Sequence, residues 1–578
     1  MTELLAQEHP PLSASSPGGD GARRPAIGLL WGDFPWGTPP RKLGKLLSWG
    51  AVARNLSQAL RAVGTLVPYT PPAAGAAPAE RRAALAEFLR AVDVVWADCY
   101  PGSAMALGLR HELRLPCRAI LYAGGTLPKG AEAMLFPWRE LLRPGDALVF
   151  TCEADRAIWR RLVRRSALEE WVLPCPVDET VFHPRPRADR AATRARHGLP
   201  ATAPLLLAVG RLNIQKNLHT LLRLLAAVRR DVPDTHLCLV GEEDDITLAE
   251  FGVRNTGYVA WLRAHAAALG VAGAVTILAP QFGEDLARLY AAADVAVSAS
   301  VYHRENFGLS QAEAQACGVP VVCTAWGGFR DVVRDGETGY LMDAILTKNG
   351  VRVDWAAGAA RVAALLRDPV LRARLGAAAA RWAHEHFSIA AQARQLQALL
   401  LERGTTRQEQ GGVAEVAALP YQPSAFARRY ERHKRACGWY ATAEERARTW
   451  YPPMFRGRDY ALYERLLGPY ATRLAKDVSA GALRPTWVPY APSGLALDPI
   501  RRVAEDLDPI WSQRRSLSST EWAVLRRVDG AATAGDIAAA VAATDQSVEW
   551  RLVTATLWQL FVEGYVLFDR RGAGTGTN

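Results

Sequence analysis

Leu205-Leu206-Leu207-Ala208-Val209-Gly210-Arg211-Leu212-Asn213-Ile214-Gln215-Lys216-Asn217-Leu218 is the stretch on which the reading of this chain turns. Its five leading apolar residues are enough for a buried strand and too few for a helix. Gly210 ends the run, and Leu218, Leu221, Leu222, Leu225 and Val228 then recur at helical spacing. A strand, a polar loop and an amphipathic helix in that order predict a unit of a parallel sheet. Arg211 and Lys216 fall on the loop at the strand's carboxyl end, where open parallel sheets bind ligands. Two cations there suit the charge of a diphosphate, with a pair of solvated surface cations as the alternative reading.

The same rhythm continues on both sides. Apolar runs follow at 237–240, 275–278, 295–299, 320–323 and 340–342, and precede at 27–31, 66–69, 92–97, 119–122, 148–151 and 171–173, with helical patterns between them. These runs predict an α/β chain with two Rossmann-like, doubly wound domains facing a cleft, at residues 25–185 and 186–403. After residue 342 the pattern turns mostly helical. Residues 1–24, rich in Pro, Ser and Gly without a signal-peptide apolar core, read as a disordered tail. Residues 404–423 read as a linker and 424–512 as a helical, aromatic-rich segment that includes Trp439, Tyr440, Trp450 and Trp487. Residues 513–570 form a small winged-helix-like module: a first helix capped by Ser518 or Ser519 with Glu521, a turn at Asp529-Gly530, helices at 534–543 and 548–563, then Gly564 and a strand at 565–568.

With 578 residues, 49% hydrophobic and 22% charged, the chain is globular and of several domains, neither disordered nor collagen-like. Its 69 Lys+Arg against 58 Asp+Glu leave +11 with no long block of like charge. Nucleic acid is therefore a weak default and is not the expected partner, since an anionic substrate in a basic cleft, or a peripheral contact with acidic lipid, fits the same balance equally well. No apolar run reaches the roughly 18–20 residues of a transmembrane segment. Eight cysteines without a Cys-x-x-Cys pair, several in apolar runs, read as reduced core thiols of a cytoplasmic chain. No acidic or His/Cys cluster has spacing that we read as a metal site.

A second segment joins the first: Glu305-Asn306-Phe307-Gly308-Leu309-Ser310-Gln311-Ala312-Glu313. The preceding run predicts a strand feeding a loop that holds Glu305, with a helix starting near Gly308 and Glu313 about a turn and a half into it. Glu305 can accept hydrogen bonds from sugar hydroxyls and Glu313 from a ribose, each charge-assisted. The helix start offers free amides to phosphate. Carboxylates on a solvated helix face are the alternative for either residue alone.

With Gly210-Arg211-Leu212 and Lys216, the pair Glu305 and Glu313, Gly327-Gly328 with Asp331, and Asp335-Gly336-x-Thr338-Gly339 in order, the chain resembles the retaining glycosyltransferases of family four over roughly residues 27–403. The resemblance implies a GT-B fold and a nucleotide-sugar donor held by the second half. Arg211 and Lys216 would bind the diphosphate, Glu305 the donor sugar and Glu313 the ribose. Phe307, Gly308 and Leu309 would offer amides to phosphates and sugar, with Gly327, Gly328 and Gly37 also on the donor side. No metal or other cofactor is implied, because cationic side chains and helix ends neutralise the leaving group. In the front-face retaining mechanism proposed for such folds, the departing phosphate helps take the acceptor's proton. Pro174-Cys175-Pro176-Val177-Asp178 looks like the family's hinge, and Phe387-Ser388 like the start of its helix crossing back to the first half.

The first half departs from the pattern. Its loop Trp31-Gly32-Asp33-Phe34-Pro35-Trp36-Gly37 carries two glycines among aromatics, and Tyr122-Ala123-Gly124-Gly125-Thr126 stands where many members have a His. Gly124 and Gly125 are therefore acceptor-side candidates through their amides, as is Glu153, for which helix capping is the alternative. The lost His also leaves open a binding protein that keeps the fold without turnover. Residues 513–570 are similar to peptide-recognition domains of the pyrroloquinoline-quinone assembly D protein (PqqD) type. That similarity implies a peptide partner, with a packing or dimerisation module as the alternative. The acceptor is expected to be a small molecule, glycan or peptide.

Overall fold

The structure is a computed structural model that describes residues 24–30, 43–73, 75–98, 101–123, 141–162, 168–213, 216–243, 257–302, 305–347, 350–401, 473–474, 483–491, 495–506 and 513–569. In the first half, β1 (Ala26–Leu30), α1 (Leu43–Val63), β2 (Thr65–Pro68), α2 (Pro78–Ala91), β3 (Val94–Asp98), α3 (Pro101–Glu112), β4 (Arg118–Tyr122), β5 (Ala147–Phe150), α4 (Glu153–Leu162) and β6 (Glu169–Val172) alternate along the chain. The six strands lie in the order β2-β1-β3-β4-β5-β6, all parallel. Strands β3 and β5 are buried along their whole length, as near-continuous apolar runs covered on both faces must be.

The second half repeats the plan with α5 (Arg187–Arg196), β7 (Leu205–Val209), α6 (Leu218–Asp231), β8 (His236–Val240), α7 (Tyr258–Ala268), β9 (Val275–Leu278), α8 (Gly283–Ala292), β10 (Val295–Ser298), α9 (Leu309–Ala316), β11 (Val321–Thr324), α10 (Phe329–Val332) and β12 (Gly339–Met342). Its parallel order is β12-β11-β10-β7-β8-β9, so the chain winds outward from β7 in one direction and from β10 in the other. The loops after these two adjacent strands diverge at the topological switch point, which leaves a crevice at their carboxyl ends. Two doubly wound sheets facing each other are the GT-B arrangement.

The halves are tied together at the hinge. The Val177 amide donates to the Phe387 carbonyl at 2.7 Å, and the Glu179 carboxylate accepts from the amides of Ile389 and Ala390 at 2.9 and 3.2 Å. Those two amides open α13 (Ile389–Leu401), which follows α11 (Trp355–Arg367) and α12 (Pro369–Phe387) and returns to pack on α1. Arg118 of β4 adds a hydrogen bond of 2.7 Å to the Leu399 carbonyl. One hydrophobic core accordingly runs through both halves, from Val52, Leu56 and Leu60 to Phe307, Phe387, Leu396 and Leu400.

The chain after Met342 is not simply helical. A hairpin of β13 (Ala344–Thr347) and β14 (Gly350–Val353) intervenes before α11. Alternate residues of a strand point to opposite faces, and here each face meets a different core. Ala344 and Leu346 pack with Leu30, Phe88 and Leu121 of the first half, while Ile345 packs with Val524, Leu560 and Phe561 near the carboxyl terminus.

The helical reading of 424–512 also fails where that segment is described. β15 (Arg473–Leu474) runs parallel to β13, β16 (Val488–Tyr490) pairs with a strand near the carboxyl terminus, and β17 (Leu495–Asp498), β18 (Val503–Asp506) and β19 (Gln513–Ser516) form an antiparallel sheet. Pro485, Pro489 and Pro499 interrupt any helix here, whereas proline is tolerated on an edge strand such as β16. The expected linker at 404–423 and the rest of 424–482 lie outside the described residues, as does nearly all of the expected tail.

Three helices follow: α14 (Ser519–Leu525), α15 (Ala534–Ala542) and α16 (Trp550–Glu563). Ser518 with Glu521 and Thr533 with Asp536 make two capping boxes, each satisfying orphan amides at a helix start. Gly564, at φ 84°, ends α16 in the left-handed conformation that glycine adopts most easily. β20 (Leu567–Asp569) then pairs antiparallel with β16. Among the described residues, no helix is long and apolar enough to cross a membrane.

Candidate active site between the two halves

The loop after β7 is built from close backbone approaches and buried amides. Gly210 lies beside Gly241 so tightly that a Cβ on Gly241 would sit 1.9 Å from the Gly210 carbonyl oxygen. Asn213, fully buried, accepts from the Lys216 amide at 3.2 Å. Asn217 holds the left-handed conformation at φ 53°, which asparagine tolerates better than most residues. Its side-chain amide donates to the Ala299 carbonyl at 3.0 Å, and its side-chain oxygen accepts from the Thr220 hydroxyl at 2.7 Å. Asn217 thus staples the cationic loop to the end of β10, the strand that feeds the second loop. The sequence reading passed over it, although an Asn just ahead of a helix was a local signal for such a turn.

The two loops meet in an ion pair. Lys216 Nζ lies 2.5 Å from Glu305 Oε2, and the same oxygen accepts from the Ser300 hydroxyl at 2.8 Å. Burial alone would push the Glu305 carboxyl up. The charge and hydrogen bond of Lys216, the Ser300 hydroxyl and the charge of Arg211 outweigh that cost and hold it below the usual glutamate value. Glu305 is therefore ionised, oriented and largely dry. Ser300 is a second residue that the sequence reading missed, since nothing local distinguishes it from any serine after a strand.

Glycines let the surrounding turns interlock. A Cβ on Gly328 would stand 2.4 Å from Phe307 Cα, and one on Gly308 would stand 2.5 Å from the Phe329 ring. The Gly328 amide donates to the Glu305 carbonyl at 2.9 Å. Gly308, at φ 104°, precedes α9, and Leu309 is its first residue. Gly327, at φ 50°, and Gly328 precede α10. Phe307 is buried with its ring 5.4 Å from Phe387, which joins the loop to the helix that closes the second half.

Glu313 sits apart from the ion pair in its bonding. Burial pushes its carboxyl up to about 8, only partly offset by the hydroxyl of buried Tyr290, which donates to it at 3.3 Å. A carboxyl in this state can both donate and accept, so it suits a vicinal pair of hydroxyls.

Of the first-half candidates, Gly37, Gly124 and Gly125 lie outside the described residues. Glu153 opens α4, and its carboxylate pairs with Arg156 at 2.6 Å, while its backbone amide donates to Asp331 Oδ2 at 2.7 Å across the cleft. Beside it, the Thr151 hydroxyl donates to the Asn306 carbonyl at 2.8 Å. The fold thus brings Arg211, Lys216 and Glu305 together and sets the Glu305 loop against the carboxyl end of β5. Cations flanking one oriented carboxylate in a dry crevice can neutralise a polyanion and hold a hydroxylated group beside it. Among the described residues, no three His, Cys, Asp or Glu side chains cluster as a metal site.

Residues 189–382 match the family described as Glycosyl transferases group 1. The chain is 35% identical over 244 residues to a D-inositol 3-phosphate glycosyltransferase of Stackebrandtia nassauensis, covering 42% of this chain and 50% of that one. It is 36% identical over 268 residues to the protein of that name from Xylanimonas cellulosilytica, covering 46% and 58%. The chain spans about half the length of these curated relatives. Among solved structures, it is similar to the Anabaena protein Alr3699/HepE in complex with UDP and glucose (17% identity, 64% of this chain, 98% of that one, TM-score 0.48). It is likewise similar to the sucrose-phosphate synthase of Thermosynechococcus elongatus (24% identity, 65% and 98%, TM-score 0.48).

Proposed function

We propose that this chain is a retaining glycosyltransferase that moves a sugar from a nucleoside-diphosphate donor to an acceptor hydroxyl without a metal ion. The observation that carries this reading is the Lys216–Glu305 pair at the switch point between β7 and β10, within the segment that matches Glycosyl transferases group 1. Lys216 spends one of its ammonium hydrogens on Glu305 and keeps others for diphosphate oxygens, which Arg211 meets with its planar fork. Glu305 accepts from the donor sugar's hydroxyls, Glu313 takes the ribose, and the first amides of α9 receive phosphate and sugar oxygens. Gly327 and Gly328 admit the donor close to the backbone.

In the reaction, the bond from the anomeric carbon to the diphosphate oxygen breaks and its electron pair leaves with the phosphate. The acceptor oxygen bonds to the same face of that carbon, and its proton passes to the departing phosphate. The charge that develops on the leaving group is met by Arg211 and Lys216, cations already in place before the bond breaks. The first half supplies the acceptor side, with Gly37, Gly124, Gly125 and Glu153 as candidates, and the module at 513–570 recruits a peptide partner. The protein acts in the cytoplasm, with any membrane contact peripheral.

The test is donor hydrolysis and transfer across UDP-, GDP-, ADP- and TDP-sugars. Lys216→Ala and Glu305→Ala abolish both while the fold survives. Full activity in the two variants overturns the site. Nucleoside-diphosphate binding by the wild type without turnover of any donor makes the chain a binding protein instead.

A further inference from the structure

We propose that Thr151, in the first half, is a positioning residue for Glu305: it latches the Glu305 loop across the cleft and so couples closure of the two halves to the geometry of the donor site. This rests on the glycosyltransferase reading above. Thr151 is 1% exposed at the carboxyl end of β5, and its hydroxyl is used twice. It donates to the Asn306 carbonyl at 2.8 Å and accepts from the Asn306 side-chain amide at 2.9 Å. Both are ordinary hydrogen-bond lengths, and together they close a small ring between two halves whose contacting residues stand 155 apart in sequence.

The position of this ring gives it leverage. Glu305 is bonded within its own half on both sides, its amide to the Tyr302 carbonyl at 2.9 Å and its carbonyl to the Gly328 amide at 2.9 Å. The next peptide, at Asn306, is held from the opposite half, and it leads directly into Phe307 and Gly308. The same first-half turn also grips the neighbouring layer, because the Glu153 amide donates to Asp331 at 2.7 Å, and Asp331 belongs to the helix that Gly327 and Gly328 precede. Val301 and Tyr302, which lead into the loop, pack in the core of the first half with Phe150 and Trp159. The second half therefore carries Glu305, but the first half holds the loop around it. When the halves part, the ring opens and the Asn306 peptide is released; when they close, it is fixed.

The test uses full-length protein with Thr151→Val, which keeps the shape and removes the hydroxyl, and Thr151→Ser, which keeps the hydroxyl. The readouts are kcat and KM for donor hydrolysis, equilibrium affinity for the nucleoside diphosphate alone, and cleft opening by small-angle scattering without ligand. Thr151→Val is expected to lose about 10- to 100-fold in kcat, the scale of a misplaced group. Its nucleoside-diphosphate affinity stays within about twofold, since Arg211 and Lys216 are untouched, and its free form scatters as a more open molecule. Thr151→Ser restores kcat and compactness. Wild-type kcat in Thr151→Val overturns the latch, as does a joint loss of kcat and affinity that Thr151→Ser does not repair. If the wild type turns over no donor, the glycosyltransferase reading fails, and scattering alone decides the latch: an opened Thr151→Val sustains it and an unchanged one overturns it.

Discussion

Each half of the molecule contains a largely buried ion pair, and the two are built for opposite purposes. In the first half, Arg110 and Asp146 form a two-pronged pair at 2.8 and 2.7 Å, and each terminal guanidinium nitrogen also donates to a backbone carbonyl, Cys117 or Leu141. Asp146 further accepts from the amides of Ala119 and Arg143 at 2.7 Å each. This network stands at the amino ends of β4 and β5, where loops of a parallel sheet bear on stability. In the second half, Lys216 and Glu305 stand at the carboxyl ends of β7 and β10. A compact ammonium there keeps donors in reserve, and the pair retains 22% and 12% side-chain exposure against 0% and 3% for Arg110 and Asp146. A pair whose terminal guanidinium nitrogens and both carboxylate oxygens are all engaged within the protein is suited to scaffold. An oriented pair with spare valence at the switch point has what the proposed donor site requires.

The sharpest way to break this comparison is to cut both pairs. Arg110→Ala leaves Asp146 buried without its partner and is expected to cost about 3–5 kcal/mol of stability, read by urea denaturation. Lys216→Ala is expected to cost clearly less, because its carboxylate partner keeps the Ser300 hydroxyl and the charge of Arg211; equal losses would erase the distinction. Next in size, Glu305→Gln should lower donor hydrolysis and transfer by about 10²–10³, or roughly 3–4 kcal/mol of barrier, with an unchanged far-UV spectrum. Arg110→Lys, measured alongside, should lose stability and keep kcat in the surviving folded fraction.

The carboxylates of the second half sharpen the comparison through pH. Glu305 has its carboxyl held below the usual value, so its contribution to stability is present above the unfolded value and is lost as pH falls through the folded one. Glu313 runs the other way. Raised from its usual 4.5 to about 8, it keeps its proton in the folded state where the unfolded chain has lost it, so stability falls as pH rises across that window and levels off above it. The melting temperature of Glu313→Gln should therefore gain on the wild type from about pH 5 to pH 8 and hold a constant lead beyond. A flat difference would place Glu313 in a wetter setting than the structure does. The smallest expected effect is at β16. Tyr490→Phe removes a hydroxyl that donates to Asp354, the residue capping α11, and should cost about 1 kcal/mol in thermal unfolding.

Much of this architecture was legible in the chain because it rests on local signals. Apolar runs of strand length separated by helical spacing marked all the strands of both sheets, and Gly210-Arg211-Leu212 with Lys216 and Glu305 with Glu313 stood out as charges after strand ends. The two capping boxes depend on neighbours three residues apart, of which Ser518 with Glu521 was readable beforehand. The misses have a common cause. The β13–β14 hairpin looks apolar without declaring which core it serves, and only the packing shows that its two faces serve different ones. Strands β16 to β18 sit among aromatics and prolines, in a stretch that side-chain type alone suggested was helical and aromatic-rich.

By itself the sequence determined that this chain builds two parallel α/β halves, that cations and carboxylates fall at the carboxyl ends of β7 and β10, and that a capped three-helix unit follows them. Hydrophobic periodicity and turn chemistry act over a few residues, so a linear reading recovers them. Which charges meet, and which residues aim them, was decided only in three dimensions. Ser300 joins Lys216 on one oxygen of Glu305, Asn217 reaches Ala299, and Thr151 closes on Asn306 from the other half. These contacts join residues five, 82 and 155 apart in sequence, and no local pattern records them. Hydrogen bonds need donor and acceptor within about 3 Å, and only the packing of sheets, hinge and returning helix brings such distant groups that close.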